Sequence, residues 1–366
     1  FFVPLNLATF HPYPTLGAFP IIYNVAPILV LTIAVGTLYS LKFTRMIFFG
    51  MAVYMAGILL TLQFIQVGSA IVSERYTYLA YIGLSLVLIY FIDRYFFDKG
   101  QLNPIATGVL GVWLLAMGYF TFQQTKVWEN SETLWNQVIK VYPNSAVAYN
   151  NLGNFLSDEG RHEEALGALN QSIALRPDYP KALNSRGKTY RLLGRANEAL
   201  MDFNRSIELD PNDGDVYSNR GNVYFGIQQF ELALADYNKA LEFDPYNDKA
   251  IGNSGSIYFQ QGQYQQAIEK YTQAIQLNAA YADAYLNRGA SYAVTNQGQA
   301  ALNDFSAYLQ LNQRNWRAWY WRGLEYQKIG QHQAAINDFN QAGQLIDPVN
   351  QAVIQQAIAQ SQAALR

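Results

Sequence analysis

Residues 148–179 read AYNNLGNFLSDEGRHEEALGALNQSIALRPDY, and an altered form of this stretch returns at a fixed interval along the rest of the chain. There is no insertion between the six resulting units, which begin at residues 146, 180, 214, 248, 282 and 316. Self-similarity at a fixed period of this kind indicates repeated helical hairpins that bury a continuous core by stacking. We therefore expect an all-α solenoid in this part of the chain.

The interval, about 34 residues, is that of the tetratricopeptide repeat. Position 8 of every unit is glycine and position 20 is alanine, as in Gly153 and Ala165 of the first unit. These small residues let the two helices of a hairpin approach closely. Position 24 is large and apolar, as in Leu169, and is expected to fill the wedge between neighbouring hairpins.

The same register predicts what flanks the six units of residues 146–349. Residues 129–145 fit a connecting helix that resembles the second half of a repeat, with Trp135 at position 24. Residues 350–366 fit a terminal helix that covers the last repeat, as repeat arrays require.

Residues 1–128 differ in composition, being rich in Phe, Ile, Leu, Val and Tyr and poor in charge. A membrane-spanning helix needs roughly 20 apolar residues. Four segments meet this length, and we predict spans at 21–40, 46–65, 76–96 and 104–124. The fold expected for the whole chain is thus a set of transmembrane helices followed by the solenoid.

The loops between these segments predict the orientation. Those on one side carry Lys42, Arg45, Arg94 and Lys99, and those on the other side carry two basic residues. Because basic residues favour the cytoplasm, we expect a multi-pass membrane protein with its repeats on the extracytoplasmic side.

Charged residues at positions 7 and 23 occur together. Four units carry arginine at position 7 and aspartate at position 23, and the other two carry neither. We expect an Arg–Asp pair between the helices of each such unit, because charges near a core are normally paired. The predicted structural pairs are Arg186 with Asp202, Arg220 with Asp236, Arg288 with Asp304, and Arg322 with Asp338.

The concave face, lined by the first helices, is the predicted binding surface for a protein or an extended peptide. Asparagine side chains there both donate and accept hydrogen bonds, so a row of them can hold a peptide backbone. The alternative is that asparagine simply suits a polar helical surface. The predicted peptide-binding residues are Asn151, Asn154, Asn219, Asn222, Asn253 and Asn287, with the aromatic residues Phe225, Phe259 and Tyr320.

The composition argues against other classes of function. The chain has no cysteine, a net charge of −2 and three histidines, His11, His162 and His332. With no basic block we expect no nucleic acid, and with scattered histidines we expect no metal site. No phosphate-binding glycine loop or nucleophile elbow is present, so we expect the repeats to bind and not to catalyse.

Three stretches carry a resemblance to a known family: PLNLATFHPYP (4–14), SERYTYLAYIGL (73–84) and VWENSETLWNQVIKVYPNSAVAYNNLGNFLSDEGRHEEAL (127–166). They resemble membrane proteins with C-terminal tetratricopeptide repeats, a family that includes the O-mannosyltransferases of the eukaryotic endoplasmic reticulum and bacterial relatives. The resemblance implies a polytopic glycosyltransferase fold and a polyprenyl-phosphate sugar donor. The chain begins without Met, and we interpret it as the C-terminal part of a longer protein.

The resemblance also implies roles for Glu74 and Arg75. These residues match the family's junction at the outer leaflet, where an arginine could hold a lipid-linked phosphate. They could instead pair with each other or with headgroups as an anchor. The family's catalytic acids belong to a first outer loop that this sequence does not include, so we expect no catalytic residue and no cofactor here. Two alternatives to a glycosyltransferase parent stay open, a membrane-bound interaction scaffold and an envelope assembly factor.

Overall fold

The computed structural model describes residues 126–365 apart from 348 and 350, together with scattered positions between residues 32 and 122. Packing divides the chain into two compact units, residues 1–177 and 178–366. Before residue 126 the described residues include helical residues at 35–39 and 47–53. They also include a short antiparallel pair, β1 (Phe97–Asp98) with β2 (Gln101–Leu102).

Within the described residues, no helix combines the length and the apolar character needed to cross a bilayer. Most residues of the four predicted spans lie outside the described part of the chain, as do Glu74 and Arg75. The spans and the role of the Glu–Arg pair therefore stay predictions.

From residue 126 onward the described chain is helical. A single 3-10 turn, Lys126–Trp128, precedes fourteen α-helices. Helices α2 to α13 pack in consecutive pairs as six hairpins, one per repeat unit. The helices are α1 (Ser131–Val141), α2 (Ala146–Asp158), α3 (His162–Leu175), α4 (Pro180–Leu192), α5 (Ala196–Leu209), α6 (Gly214–Gly226), α7 (Phe230–Phe243), α8 (Asp248–Gln260), α9 (Tyr264–Leu277), α10 (Ala282–Val294), α11 (Gly298–Leu311), α12 (Trp316–Lys328), α13 (His332–Leu345) and α14 (Gln351–Ala364).

Short polar side chains cap the N-termini of several of these helices. They accept hydrogen bonds from backbone N–H groups of the first turn, which have no partner within the helix. Asn130 and Thr133 form a reciprocal cap at the start of α1, in which each side chain accepts from the backbone of the other. At the starts of α6, α8 and α12, the side chains of Asp213, Asn247 and Asn315 each accept one hydrogen bond from a first-turn backbone N–H, without the reciprocal bond.

The turn between the two helices of each hairpin passes through position 15, where the backbone is left-handed. Glycine tolerates this conformation because it has no Cβ. Four units have glycine there, and the third and fifth have Gln228 (φ 61°) and Asn296 (φ 57°). The four glycines are Gly160, Gly194, Gly262 and Gly330, with φ between 72° and 78°.

The core of each hairpin is built on the glycine at position 8, as the sequence predicts. A Cβ added to Gly221 would lie 2.8 Å from Cε1 of Tyr237, the residue at position 24 of the same unit. The equivalent distance from Gly323 to Cε1 of Phe339 is 2.6 Å. The alanine at position 20 is fully buried in every unit. The side chain at position 24 therefore packs directly on its own first helix, where a Cβ at position 8 would collide with it.

In the first compact unit, α1 packs against the hairpin of α2 and α3. Trp135 contacts the cluster that contains Leu152 and Leu156. An ion pair connects α1 to this hairpin: Oε2 of Glu132 lies 2.7 Å from Nη1 of Arg161. Residues 131–141 thus pack as the second helix of a repeat would.

In the second compact unit, α14 packs against α12 and α13. Ile354, which is 1% exposed, joins Phe339 and Ile346 in one apolar cluster. Gln327 donates from Nε2 to Oγ of Ser361 at 3.0 Å. Helix α14 therefore covers apolar surface of the last hairpin that would otherwise be exposed to solvent.

The structure places each arginine of position 7 against the aspartate of position 23 with two parallel hydrogen bonds. In the third unit, Nε and Nη2 of Arg220 donate to the two carboxylate oxygens of Asp236 at 2.8 and 2.7 Å. The three other pairs have the same geometry, with distances of 2.7 to 2.8 Å. The hydrogen bonds to Asp236 raise the pKa of Arg220 above its ordinary value.

The remaining guanidinium nitrogen, Nη1, donates to a neighbouring repeat, a contact that the sequence pattern does not predict. Nη1 of Arg220 donates to Asn204 at 2.7 Å, across to the second helix of the preceding unit. Arg288 and Arg322 make equivalent bonds to Thr272 (3.0 Å) and Ser306 (3.1 Å). Each acceptor occupies position 25. These arginines therefore hold one hairpin together and also connect it to the one before.

Candidate peptide-binding groove

Three of the predicted asparagines in the second compact unit, Asn219, Asn222 and Asn253, each hydrogen-bond to an asparagine on a neighbouring repeat. Asn219 donates from Nδ2 to Oδ1 of Asn184, on the first helix of the preceding hairpin, at 3.0 Å. Asn253 donates in the same way to Asn222 at 2.7 Å. The row therefore connects successive repeats, and each amide keeps only part of its hydrogen-bonding capacity for a ligand.

Three of the predicted asparagines stand apart from these links. In the first compact unit, Asn151 accepts from Nδ2 of Asn150 at 3.2 Å, and Asn154 is half-buried on the same helix. Asn287, on α10, lines a pocket.

The predicted aromatic residues divide between the core and the groove. Phe225 packs against Phe230, with ring centroids 5.9 Å apart. Tyr320 lies 5.8 Å from Phe339 and joins the apolar cluster of the last hairpin. Both therefore pack mainly as core residues. Phe259 alone of the three lines the pocket that also contains Asn287.

This apolar pocket has a volume of about 420 Å³ and lies along α8, α10 and α12. Its origin is a difference in side-chain size between consecutive repeats. Position 9 of the fifth unit is Ala290 and position 12 is Ala293, whereas Phe259 precedes them and Trp321 follows. The two alanines leave a depression between larger neighbours. The lining residues are Phe259, Asn287, Ala290, Ala293, Val294, Phe305, Trp321, Leu324, Glu325 and Lys328.

A buried carboxylate lies in the wall of the apolar pocket. The side chain of Glu325 is 5% exposed, and its Oε1 accepts from Nζ of Lys328 at 2.6 Å. Its Oε2 would lie 3.3 Å from a Cβ added to Gly298, the first residue of α11. A helix N-terminus carries partial positive charge, so it stabilises the carboxylate together with the lysine. These two groups compensate the cost of burying the charge.

Eight of the ten lining residues were not among the predicted site residues, and four of these eight lie on α12: Trp321, Leu324, Glu325 and Lys328. Three of them occupy positions 6, 9 and 13 of the last unit, which are groove positions in a tetratricopeptide hairpin. Because these positions face the groove in every unit, the repeat register alone is enough to predict these three. Glu325 occupies position 10, which is apolar or a small hydroxyl residue in the other units, so no pattern indicated it.

Neither histidine of the repeats lines the apolar pocket. His162 and His332 begin α3 and α13, each with Nδ1 buried and without a hydrogen-bond partner. Within the described residues, no cluster of three or more His, Cys, Asp or Glu side chains could hold a metal ion.

The fold and the spacing together define the class: the chain carries an α-solenoid of tetratricopeptide repeats. Sequence patterns of the tetratricopeptide repeat match residues 144–212, 214–247, 236–269 and 317–345, and a further TPR repeat pattern matches residues 255–294.

Two solved structures share this fold. The crystal structure of the APC/C hetero-tetramer Cut9–Hcn1 aligns with a TM-score of 0.58 and 16% identity, over 64% of this chain and 46% of that one. The structure of PilF from Pseudomonas aeruginosa aligns with a TM-score of 0.53 and 17% identity, over 58% of this chain and 96% of that one. At such identities the likeness establishes the fold alone.

Curated relatives are similar to part of the chain. Protein O-mannosyl-transferase Tmtc2 of Drosophila melanogaster is 30% identical over 95 residues, which are 26% of this chain and 10% of the relative. Protein O-mannosyl-transferase TMTC1 of Homo sapiens is 28% identical over 106 residues, which are 28% of this chain and 12% of the relative. The match therefore spans about a tenth of each relative's length.

Proposed function

We propose that the repeat array binds an extended peptide along its first helices and seats one apolar side chain of that peptide in the apolar pocket. A tetratricopeptide solenoid is suited to binding protein or peptide. The observation that carries the proposal is the depression at Ala290 and Ala293, because nothing in hairpin packing requires small residues there. Its volume of about 420 Å³ lies within the roughly 300 to 1,000 Å³ typical of ligand pockets.

The surroundings of the pocket supply contacts for the peptide main chain. Asn287 lies in its lining and both donates and accepts. Asn253, one repeat earlier, uses a donor on Asn222 and keeps its carbonyl oxygen. Main-chain contacts from amides carry little sequence preference, so specificity comes from the side chain in the pocket.

The experiment measures binding of dye-labelled pentapeptides Gly-Ser-Xaa-Ser-Gly by fluorescence polarisation, with Xaa as Leu, Phe, Ala or Asp. We expect Leu and Phe to bind more tightly than Ala or Asp. Ala293→Leu fills the pocket and should weaken the binding of the Leu and Phe peptides at least tenfold. Ala352→Leu is the matched control, because Ala352 is exposed on α14.

Trp321→Ala enlarges the pocket and removes its largest apolar wall, so it should weaken the same peptides. Equal binding of all four peptides, or wild-type affinity in Ala293→Leu, would show that the pocket does not select the side chain. Simultaneous replacement of Asn219, Asn253 and Asn287 by Ala tests the main-chain contacts. It should weaken all four peptides together and leave the helix content unchanged.

We further propose that the array belongs to a protein glycosyltransferase that uses a lipid-phosphate sugar donor, with the groove holding the acceptor protein. The partial similarity to protein O-mannosyl-transferases supports this proposal. In the proposed enzyme, residues 1–128 span the membrane and the repeats lie outside the cytoplasm. Arg75, beside Glu74, contacts the phosphate of the sugar donor. The test is sugar transfer by the full parent protein with Arg75→Lys and Arg75→Gln. A wild-type rate in a correctly inserted Arg75→Gln variant would favour an interfacial anchor, and with it a scaffold without chemistry.

A further inference from the structure

The carboxylate in the apolar pocket is not required by the packing of the repeats. Glu325 occupies position 10 of the last unit, and the equivalent residue of the fourth unit is Ile257, which is 0% exposed. An apolar residue therefore fits this position in a hairpin of the same chain. Because replacing a buried ion pair by an apolar residue is often neutral or stabilising, stability does not account for the glutamate.

The preceding repeat makes room for this carboxylate. Position 17 of the fifth unit is Gly298, whereas the other five units carry histidine, alanine, phenylalanine or tyrosine there. A Cβ added to Gly298 would lie 3.3 Å from Oε2 of Glu325, which is closer than an ordinary contact. The glycine thus leaves the space that Oε2 occupies, and two unusual residues on neighbouring repeats accommodate each other.

The two oxygens of Glu325 differ in what they contact. Oε1 accepts from Nζ of Lys328 at 2.6 Å, whereas Oε2 accepts no hydrogen bond from the described residues. Among these residues, the fully buried side-chain atoms without a partner belong to Asn150, His162 and His332, so Oε2 keeps some accessible surface. A carboxylate oxygen accepts strong, charge-assisted hydrogen bonds. Oε2 is therefore an available acceptor in the wall of an otherwise mostly apolar pocket.

Lys328 restricts the kind of donor that fits this acceptor. Its ammonium group already forms the ion pair with Glu325, so the two side chains together are neutral. A cation brought into the pocket would lie close to this ammonium group, and like charges a few ångströms apart repel each other. A neutral donor does not meet this repulsion.

The walls of the apolar pocket suit an aromatic ring. Phe259, Phe305 and Trp321 line it from three consecutive repeats. The rings of Phe305 and Trp321 are tilted by 46° with their centroids 6.1 Å apart. Aromatic rings prefer such tilted packing to a flat face-to-face sandwich, so these walls offer favourable contacts to a further ring. The volume of about 420 Å³ is large enough for a substituted ring.

We infer that the apolar pocket is specific for a tyrosine side chain of the peptide ligand, with its ring against the aromatic walls and its hydroxyl donating to Oε2 of Glu325. A phenol combines an apolar ring with one neutral donor at its tip. A phenylalanine side chain would leave the acceptor unpaired. A site that hydrogen-bonds a hydroxyl discriminates strongly against the analogue that lacks it. This inference rests on the proposed function, since it names the side chain that the pocket selects.

The test uses side-chain analogues, so that its failure and a failure of peptide binding are distinguishable. Saturation-transfer NMR titrations on the full chain measure the Kd of p-cresol, toluene and n-butylamine, which represent the side chains of Tyr, Phe and Lys. A pocket without an acceptor would prefer toluene, because burying an unpaired hydroxyl is costly. We expect p-cresol to bind about tenfold more tightly than toluene, since a hydrogen bond to a charged group outweighs that cost. We expect n-butylamine to bind no better than toluene.

Three variants locate the preference at Glu325. Glu325→Ile introduces the residue that the fourth unit carries at this position, and it should reverse the preference so that toluene binds more tightly than p-cresol. A merely structural role of Glu325 would instead weaken both probes to the same extent. Ala293→Leu fills the pocket and should weaken both probes. Glu269→Ile, the same change at an exposed glutamate on α9, should leave both affinities unchanged.

Three results would overturn the inference. The first is wild-type protein that binds toluene at least as tightly as p-cresol, a comparison that needs no variant. The second is n-butylamine binding more tightly than p-cresol, which would favour a cationic side chain. The third is an unchanged preference in a Glu325→Ile variant that is folded by circular dichroism.

The same probes separate this inference from the proposed function. Binding of the Leu and Phe pentapeptides together with a preference for toluene would overturn the inference and leave peptide binding intact. A preference for p-cresol in a chain that binds none of the pentapeptides would support the phenol site and overturn peptide binding.

Discussion

The Arg–Asp pair of the third repeat should contribute coupled stability. The carboxylate of Asp236 is 7% exposed and the side chain of Arg220 is 20% exposed, with two hydrogen bonds of 2.7 and 2.8 Å between them. Arg220 also lies between the rings of Tyr217 and Tyr224, at 5.6 and 5.8 Å. Removing either partner leaves a largely buried charge without compensation, so Arg220→Ala and Asp236→Ala should each cost about 3 kcal/mol.

A double-mutant cycle measures the coupling between the two residues. We expect a coupling of about 2 kcal/mol, so the double variant should cost about 4 kcal/mol instead of the roughly 6 kcal/mol that additivity gives. The measurement is equilibrium urea unfolding of residues 129–366, followed by far-ultraviolet circular dichroism. The exposed pair Arg205 and Glu208, with 55% and 63% of their side chains exposed, is the matched control and should show no resolvable coupling.

The third bond of the arginine can be separated from the pair. Asn204→Ala removes only the acceptor on the preceding repeat and should cost about 1 kcal/mol. If Arg220→Ala and Asp236→Ala are additive, and so show no more coupling than the exposed control pair, the reasoning is refuted. That result would mean the buried pair is no stronger in solution than one on the surface.

Gly153→Ala should destabilise the first hairpin by about 1 to 3 kcal/mol in thermal unfolding, because the added Cβ would lie 2.5 Å from an apolar side chain. Gly167→Ala, where a Cβ meets nothing within 4 Å, should instead stabilise α3 by about 0.5 to 1 kcal/mol, and a loss there would contradict the packing argument. Burial raises the pKa of Tyr271 to about 12, so its contribution to stability is present below its unfolded value near 10 and is lost as pH rises through 12. Tyr271→Phe should lose less stability between pH 10 and 12 than wild type, and identical pH profiles would contradict this. A reporter that fluoresces only in the cytoplasm, fused after residue 366, should stay dark, and fluorescence would overturn the proposed orientation.

The sequence alone determined the repeat architecture because the rules that produce it are local. The fixed spacing, a glycine at position 8 and an alanine at position 20 recur in every unit, and each hairpin repeats the same packing of position 24 on position 8. The pairing of position 7 with position 23 could also be predicted, because the same four units carry both the arginine and the aspartate and the other two carry neither. Such patterns act within one hairpin, so a one-dimensional register is enough to express them.

The binding features depended on the tertiary structure because each of them joins several repeats. The apolar pocket exists because Ala290 lies between Phe259 and Trp321, which belong to the repeats before and after it. Asn222 connects several helices only because its Oδ1 accepts from Tyr237 and from Asn253, which lie on two other helices. Periodicity records what the repeats share, whereas a ligand site arises where neighbouring repeats differ. The resulting volumes and free hydrogen-bonding groups are therefore decided by side chains that only stacking brings together.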